Sequence, residues 1–217
     1  IREHRFTING EPTFLIGISY YGGLGASREQ IRADLDDMQR CGFNWLRVWA
    51  TWSAFDRCVS AIDSHGGPRQ PYLEHLRWLI KECDNRGIVV DITLHRTNDT
   101  PGEGKLPTFE SHLLAVETVI SAMQPYRNWY LDLANERNVR DARFVSFAEL
   151  RSLRERDREL APQLLVTASD GGDFGRDELA EYLSTVQVDF IAPHRDRSRD
   201  TPKAAFGRNQ IVFEQCL

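Results

Sequence analysis

Two glutamates draw attention by where they fall. Glu136 follows the apolar run WYLDLAN (129–135), and Glu214 closes the run QIVF (210–213). A β-type run that stops on a carboxylate has a plain explanation, a strand leaving the core for solvent. Two such strands, far apart in the chain, offer a second one: both carboxylates presented across a single opening. Hydrolysis of a glycosidic bond needs that pair, because one group protonates the leaving oxygen while the other attacks the anomeric carbon or activates water. Carboxyl groups about 5–5.5 Å apart suit retention, and ~6.5–9.5 Å suits inversion. Tertiary structure sets that gap.

Other polar residues sit at the same kind of place. Arg47 and Trp49 lie near the end of FNWLRVWAT (43–51), His95 ends IVVDITLH (88–95), Asn135 precedes Glu136, and His194 follows VDFIA (188–192). Tyr20, Tyr21, Trp49, Trp52 and Phe55 cluster after the first two runs, where flat rings suit the apolar faces of pyranoses or simply pack. Asp91 and Asp132 fall inside runs and read as buried structural hydrogen-bonding groups. Asp170, with Gly171 and Gly172, reads equally as a turn or as a residue reaching a cleft. Cys41, Cys58, Cys83 and Cys216 have neither C-x-x-C spacing nor the density of a disulfide scaffold, so they read as free thiols, Cys41 and Cys83 as small buried hydrophobes.

The elements that would position these residues alternate. The expected strands are 14–19, 43–51, 88–95, 129–135, 164–168, 188–192 and 210–213. Helices are expected over 72–86, 109–123, 147–160 and 178–186, with another opening at Ser27, where Gln30 has capping-box spacing. Ile31, Leu35 and Met38 form the apolar face of that first helix, and Gly42 stops it. Strand and helix in turn predict βα units and a parallel sheet. Seven strands at this rhythm suggest a (β/α)₈ TIM-barrel-like fold with strand eight and the last helices missing from the chain, and an active site at the C-terminal strand ends. The glycines at 22–25 are not the G-x-G-x-x-G of a doubly wound dinucleotide fold.

At 217 residues, one domain spanning 1–217 fits better than two. With 41% hydrophobic and 27% charged residues and a net charge of −5, the chain has an ordinary globular balance, which excludes whole-chain disorder. Apolar runs are too short to span a bilayer and basic residues are scattered, so neither a membrane nor a nucleic acid is expected as a partner. The opening IREHRF shows no leader pattern, so any signal peptide is expected to be absent or already removed, and the compartment stays open.

Together, N-x-x-R-x-W at 44–49, Leu94-His95, Asn135-Glu136 and a glutamate closing strand seven resemble the clan A glycoside hydrolases, particularly cellulase-like members of family five. The opening FTING at 6–10, leading into 14–19, is similar to the hairpin and first barrel strand of that family. The resemblance runs along nearly the whole chain. It implies a retaining enzyme on β-linked oligo- or polysaccharides, with Glu136 as acid/base, Glu214 as nucleophile and no cofactor or metal. It further implies Asn135 on the sugar 2-hydroxyl, Arg47 beneath the nucleophile where its charge keeps that carboxylate ionised, and His95 and His194 as cleft histidines. Trp52 and Tyr20 are the aromatic residues expected against the sugar.

The chain departs from that family by stopping three residues after Glu214 and by carrying a charged run, RDRSRD (195–200), where a helix is expected. Open edges on strands one and seven would need cover, and a homodimer is one way to supply it. Two other classes compete: a catalytically inactive carbohydrate-binding barrel, and a metal-dependent hydrolase using His95, Glu136 and His194. The metal class is weakened because GISYY (17–21) offers no His-x-His and no acidic ligand.

Overall fold

Among residues 1–2, 5–95, 105–139 and 143–194, which the computed structural model describes, strand and helix alternate as expected. Strands β1 (Gly17–Ser19), β2 (Trp45–Trp49), β3 (Val89–Thr93), β4 (Trp129–Asp132) and β5 (Val166–Thr167) lie side by side in chain order, all parallel. Between and after them run α1 (Arg28–Arg40), α2 (Tyr72–Asp84), α3 (Phe109–Met123), α4 (Phe147–Leu160) and α5 (Arg176–Val186). A sixth strand, β6 (Pro193–His194), pairs in parallel with Asp170–Gly171, just past β5. Consecutive parallel strands joined by helices are the construction of a (β/α) barrel, here an incomplete one. Strand seven (210–213), Glu214, Cys216 and the charged run 195–200 lie outside the described residues.

Helices α3 and α4 have the limits read from sequence because their start signals are local. Thr108 and Ser111 form one capping box, and Ser146 and Glu149 another, each pair satisfying two of the backbone N–H groups that a helix start leaves over. At α1 the cap is half of what the spacing suggests. Ser27 accepts from the Gln30 N–H at 3.2 Å, but the Gln30 side chain turns forward to Asp34 at 2.7 Å. Cys41, expected to be buried, is exposed: α1 ends one residue before it, so its side chain leaves the apolar face, while Gly42 takes the left-handed turn at φ 81°. Cys83 is buried as expected.

Strand one is shorter than its apolar run. Phe14 is 81% exposed and Ile16 45%, and pairing begins only at Gly17. The Asn44 side chain holds the approach instead, accepting from the Ile16 N–H at 2.8 Å and donating to the Phe14 carbonyl at 2.9 Å. Gly17 is required where pairing starts, since a Cβ there would lie 1.6 Å from the Trp45 carbonyl oxygen. The sixth run also shifts. Residues 188–192 are tied to β5 by the Asp189 carboxylate on the Val166 N–H at 2.8 Å and by Thr167 Oγ1 on the Phe190 carbonyl at 2.9 Å. Paired strand comes directly after the expected run, at β6.

Period-two alternation then sorts the side chains into two layers. Leu46, Val48, Val90, Ile92, Leu131 and Leu133 face the helices and merge with their apolar faces into the main core. Trp45, Arg47 and Trp49 on β2, Asp91 and Thr93 on β3, and Tyr130 and Asp132 on β4 occupy the alternate positions. Register brings Arg47 opposite Asp91 and Thr93 opposite Asp132. Toward the strand starts this second layer is aromatic, with Trp45, Tyr130 and Phe190 buried together. Toward the strand ends it is charged.

Candidate active site

Arg47 organises the charged layer. It is 1% exposed, and its Nε donates to Thr93 Oγ1 at 2.7 Å. Nη2 donates to Asp132 Oδ2 at 2.5 Å, Asn135 Oδ1 at 3.1 Å and Ser169 Oγ at 3.3 Å. Thr93 passes the contact on, donating to Asp91 Oδ1 at 2.9 Å. Asp132 is structural, as its place in the strand suggests: its other oxygen accepts the backbone N–H groups of Ala134 and Ser169 at 3.1 and 3.0 Å. Asp91 lies 3.7 Å from Arg47 Nε. Burial pushes its carboxyl up to about 7, against the pull of Arg47 and with Asp132 adding to the rise.

The other nitrogen of the guanidinium reaches the mouth. Nη1 of Arg47 lies 2.6 Å from His194 Nε2, and His194 Nδ1 lies 2.9 Å from Glu136 Oε1. Because a guanidinium only donates, Nε2 must be the accepting nitrogen, so the ring proton sits on Nδ1 and points at Glu136. That hydrogen bond is the main cause holding the Glu136 carboxyl below its ordinary value, with the electrostatic pull of His194, Arg47 and His95 adding to it against partial burial. Glu136 has a left-handed backbone at φ 44°, a conformation that costs a residue other than glycine ~1–3 kcal/mol unless its surroundings hold it. Those surroundings include the Ser169 hydroxyl, which accepts the Glu136 N–H at 3.0 Å.

Beside this group stand the rings. Trp49 lies with Arg47 Cζ 5.2 Å from its centre, and Tyr21 stacks on it at 4.5 Å and 11°. Trp52 is tilted 5.1 Å from Trp49 and meets the edge of His95 at 5.2 Å. The His95 backbone is held by Thr51, whose hydroxyl sits 2.6 Å from its N–H and 2.7 Å from its carbonyl. Tyr20 is set apart from this group. Its hydroxyl donates to Asp34 Oδ2 on α1 at 2.6 Å, so the tyrosine that joins the stack is its neighbour Tyr21, which is 49% exposed. Phe55, expected either to pack in the barrel or loops or to face a sugar, is exposed.

The structure thus gathers Arg47, Asn135, Glu136 and His194 into one hydrogen-bonded group, with His95 and Trp52 alongside. Sequence reasoning passed over Ser169, although it is the first polar residue after the apolar run 164–168, the same signal that singled out the others. Asp170 pairs with the buried Arg137 at 2.9 Å, and burial pushes it up to about 6. Among the described residues no three His, Cys, Asp or Glu side chains are placed to hold a metal ion. Both ring nitrogens of His194 are engaged with Arg47 and Glu136, which leaves the set of His95, Glu136 and His194 poorly suited to one. None of the helices among the described residues is long and apolar enough to cross a membrane.

Comparison with models of known protein families and with curated proteins found no match. Solved structures do match. An exo-β-1,4-mannosidase from Opitutaceae bacterium strain TAV5 superposes with a TM-score of 0.65 at 19% identity, over 89% of this chain and 40% of that one. A glycoside hydrolase family 5 mannosidase from Rhizomucor miehei, in complex with mannosyl-fructose, gives 0.66 at 16% identity, over 91% and 61%. The mannohexaose complex of Thermomonospora fusca β-mannanase gives 0.65 at 12%, over 93% and 67%. The chain therefore spans less than two thirds of the first two proteins, 40% of one and 61% of the other. Over most of its own length it has the fold of these glycoside hydrolase barrels.

Proposed function

We propose that this chain carries the catalytic group of a clan A, family five type glycoside hydrolase that cleaves β-linked glycans with retention, Glu136 serving as general acid/base and Glu214 as nucleophile. The observation that carries this reading is the line of contacts from Arg47 through His194 to Glu136, with Asn135 on the same guanidinium. Such an arrangement sets both the direction and the charge of one carboxylate at the C-terminal strand ends, where barrel chemistry takes place.

In this reading Arg47 accounts for the Asn135 carbonyl oxygen, so the amide nitrogen is the end that donates to the sugar 2-hydroxyl. A second carboxylate from Glu214 across the sugar raises Glu136 by like-charge repulsion and lets it deliver a proton to the leaving oxygen. Once that second carboxylate is consumed in the glycosyl ester, the repulsion disappears. The His194 bond then favours ionised Glu136, the form needed to deprotonate water. Trp52 and Tyr21 supply apolar faces for the ring. The mannosidases and mannanases among the matching structures make a β-mannoside the first substrate to try.

The experiment is hydrolysis of aryl β-mannosides and β-glucosides, with the anomer first released read by proton NMR. Glu136→Gln should lower turnover on the order of 10²–10⁴-fold with the fold intact, and Glu214→Gln should abolish formation of the glycosyl ester. Release of the inverted anomer, or unchanged turnover in either variant, removes the corresponding assignment. A chain that binds oligosaccharide without hydrolysing it would be a carbohydrate-binding barrel.

A further inference from the structure

The backbone around Glu136 is matched residue by residue to the segment just after β5. The Glu136 N–H donates to Ser169 Oγ at 3.0 Å, and the Arg137 N–H donates to the Ser169 carbonyl at 2.9 Å. Asn138 exchanges hydrogen bonds with the Gly171 backbone at 2.7 and 3.4 Å. The Arg137 guanidinium, 4% exposed, donates to Asp170 Oδ2 and Glu178 Oε1, each at 2.9 Å, and lies 4.1 Å from the Phe147 ring.

Ser169 is the junction. A hydroxyl has one proton and two lone pairs. This one accepts from Glu136 N–H and from Arg47 Nη2 at 3.3 Å, and donates to the Ala134 carbonyl at 3.4 Å, so its capacity is filled. Alanine there would keep the other Ser169 contacts, its backbone N–H on Asp132 and its carbonyl under Arg137. It would take a partner from Glu136 and from Arg47 together. A left-handed non-glycine residue persists only where its surroundings over-determine it, and the carboxylate direction of Glu136 follows from that backbone.

We propose that Ser169 is a positioning residue for Glu136, coupling the backbone that aims this carboxylate to the Arg47 guanidinium, with the buried Arg137–Asp170 pair closing the clamp from behind. The consequence for catalysis rests on the hydrolase reading above; the clamp itself does not.

The test uses the full chain, labelled with ¹³C at glutamate carboxyls and ¹⁵N in histidines, as wild type, Ser169→Ala and Asp170→Asn. The groups around Glu136 are His194, Arg47, His95 and Asp170, and the histidine and carboxyl signals report whether a change is confined to one of them. In Ser169→Ala the Glu136 midpoint should rise toward that of an ordinary glutamate. His194 should lose its fixed Nδ1–H pattern, while the signals of His112, buried on α3 with its ring nitrogens 2.6 Å from the Leu133 carbonyl and from Arg143, stay in place. Asp170→Asn, which keeps an acceptor for Arg137 but removes the charge, should move the same two signals less. If the wild type hydrolyses an aryl β-glycoside, Ser169→Ala should lower kcat on the order of 10-fold or more with KM within about twofold. A wild type without hydrolysis that still shows the spectral shifts ends the hydrolase reading and keeps the clamp. An unchanged Glu136 midpoint and His194 pattern in both variants overturn the clamp.

Discussion

Two ends of the same strands hold the interior of this barrel by different physics. At the strand starts, Phe190 meets Phe6 and Tyr130 edge to face, each at 5.1 Å, and the Trp45 indole donates to the Tyr130 hydroxyl at 2.9 Å. At the strand ends, two residues further along β2, Arg47 is wrapped by Asp132, Thr93, Asn135, Ser169 and His194. The floor is held by contact area, which has little direction and accepts another side chain of similar volume. The mouth is held by donors and acceptors in fixed number, where deleting one group strands the others. Tyr130 joins the two through its hydroxyl, which donates to Asp91 at 3.2 Å. Apolar contact at the floor and polarity at the mouth come from alternate residues of one strand.

The contrast is broken most directly by replacing one residue at each end. Arg47→Met leaves Asp91 and Asp132 without their shared cation and should destabilise the fold by about 3–5 kcal/mol, whereas Phe190→Leu should cost less than about 1.5 kcal/mol. Urea unfolding of both variants measures the difference, and equal losses would mean that the two ends do not differ in kind.

Next in size is a pH effect with its largest source at the mouth. The folded-state carboxyl of Asp91 is raised, so between its unfolded value near 4 and about 7 the folded state binds more protons than the unfolded chain. Its contribution is therefore greatest below that window, declines as pH rises through it and levels off above about 7. The decline is on the order of a few kcal/mol at most. Asp157 and Asp170, both raised by burial to about 6, slope the same way; Glu136, lowered, slopes the opposite way at more acid pH. Asp91→Asn should flatten part of the slope in unfolding midpoints measured from pH 4 to 7, and Phe190→Leu should leave it unchanged. A slope equally steep in Asp91→Asn would remove this residue as its source.

The smallest effect sharpens the picture at one residue. With a left-handed backbone at position 136, Glu136→Gly should be more stable than Glu136→Ala by about 1 kcal/mol, the reverse of the order at an ordinary strand position. Thermal unfolding of the two variants is the check, and an alanine variant as stable as the glycine one would show that the site carries no backbone strain.

The parts legible in the sequence were those with local causes. Helices α3 and α4 begin at capping boxes and carry their apolar faces in their own periodicity, so their limits needed no tertiary information. Arg47, Asn135, Glu136 and His194 were singled out because a polar residue ending an apolar parallel strand faces the barrel mouth. The illegible parts depend on partners distant in the chain. Phe14 to Ile16 look like strand until Asn44 takes up their backbone groups, and β6 is displaced because Asp189 uses its carboxylate on the Val166 N–H. Tyr20 and Tyr21 are adjacent and identical in type, and only Asp34 on α1 decides that Tyr20 turns away and Tyr21 joins Trp49.

What the sequence determined alone is therefore the rhythm of strands and helices and the set of polar groups that rhythm delivers to one end, because both follow from spacing along the chain. Tertiary structure decided which of those groups touch. The tautomer of His194, the charge on Glu136, the hydrogen bond that Asp91 accepts from Tyr130 and the junction role of Ser169 all depend on distances of about 3 Å between residues on different strands. Hydrogen bonds and charges in a dry interior are sensitive to such distances, and no periodicity in one strand records where its neighbour's side chains end.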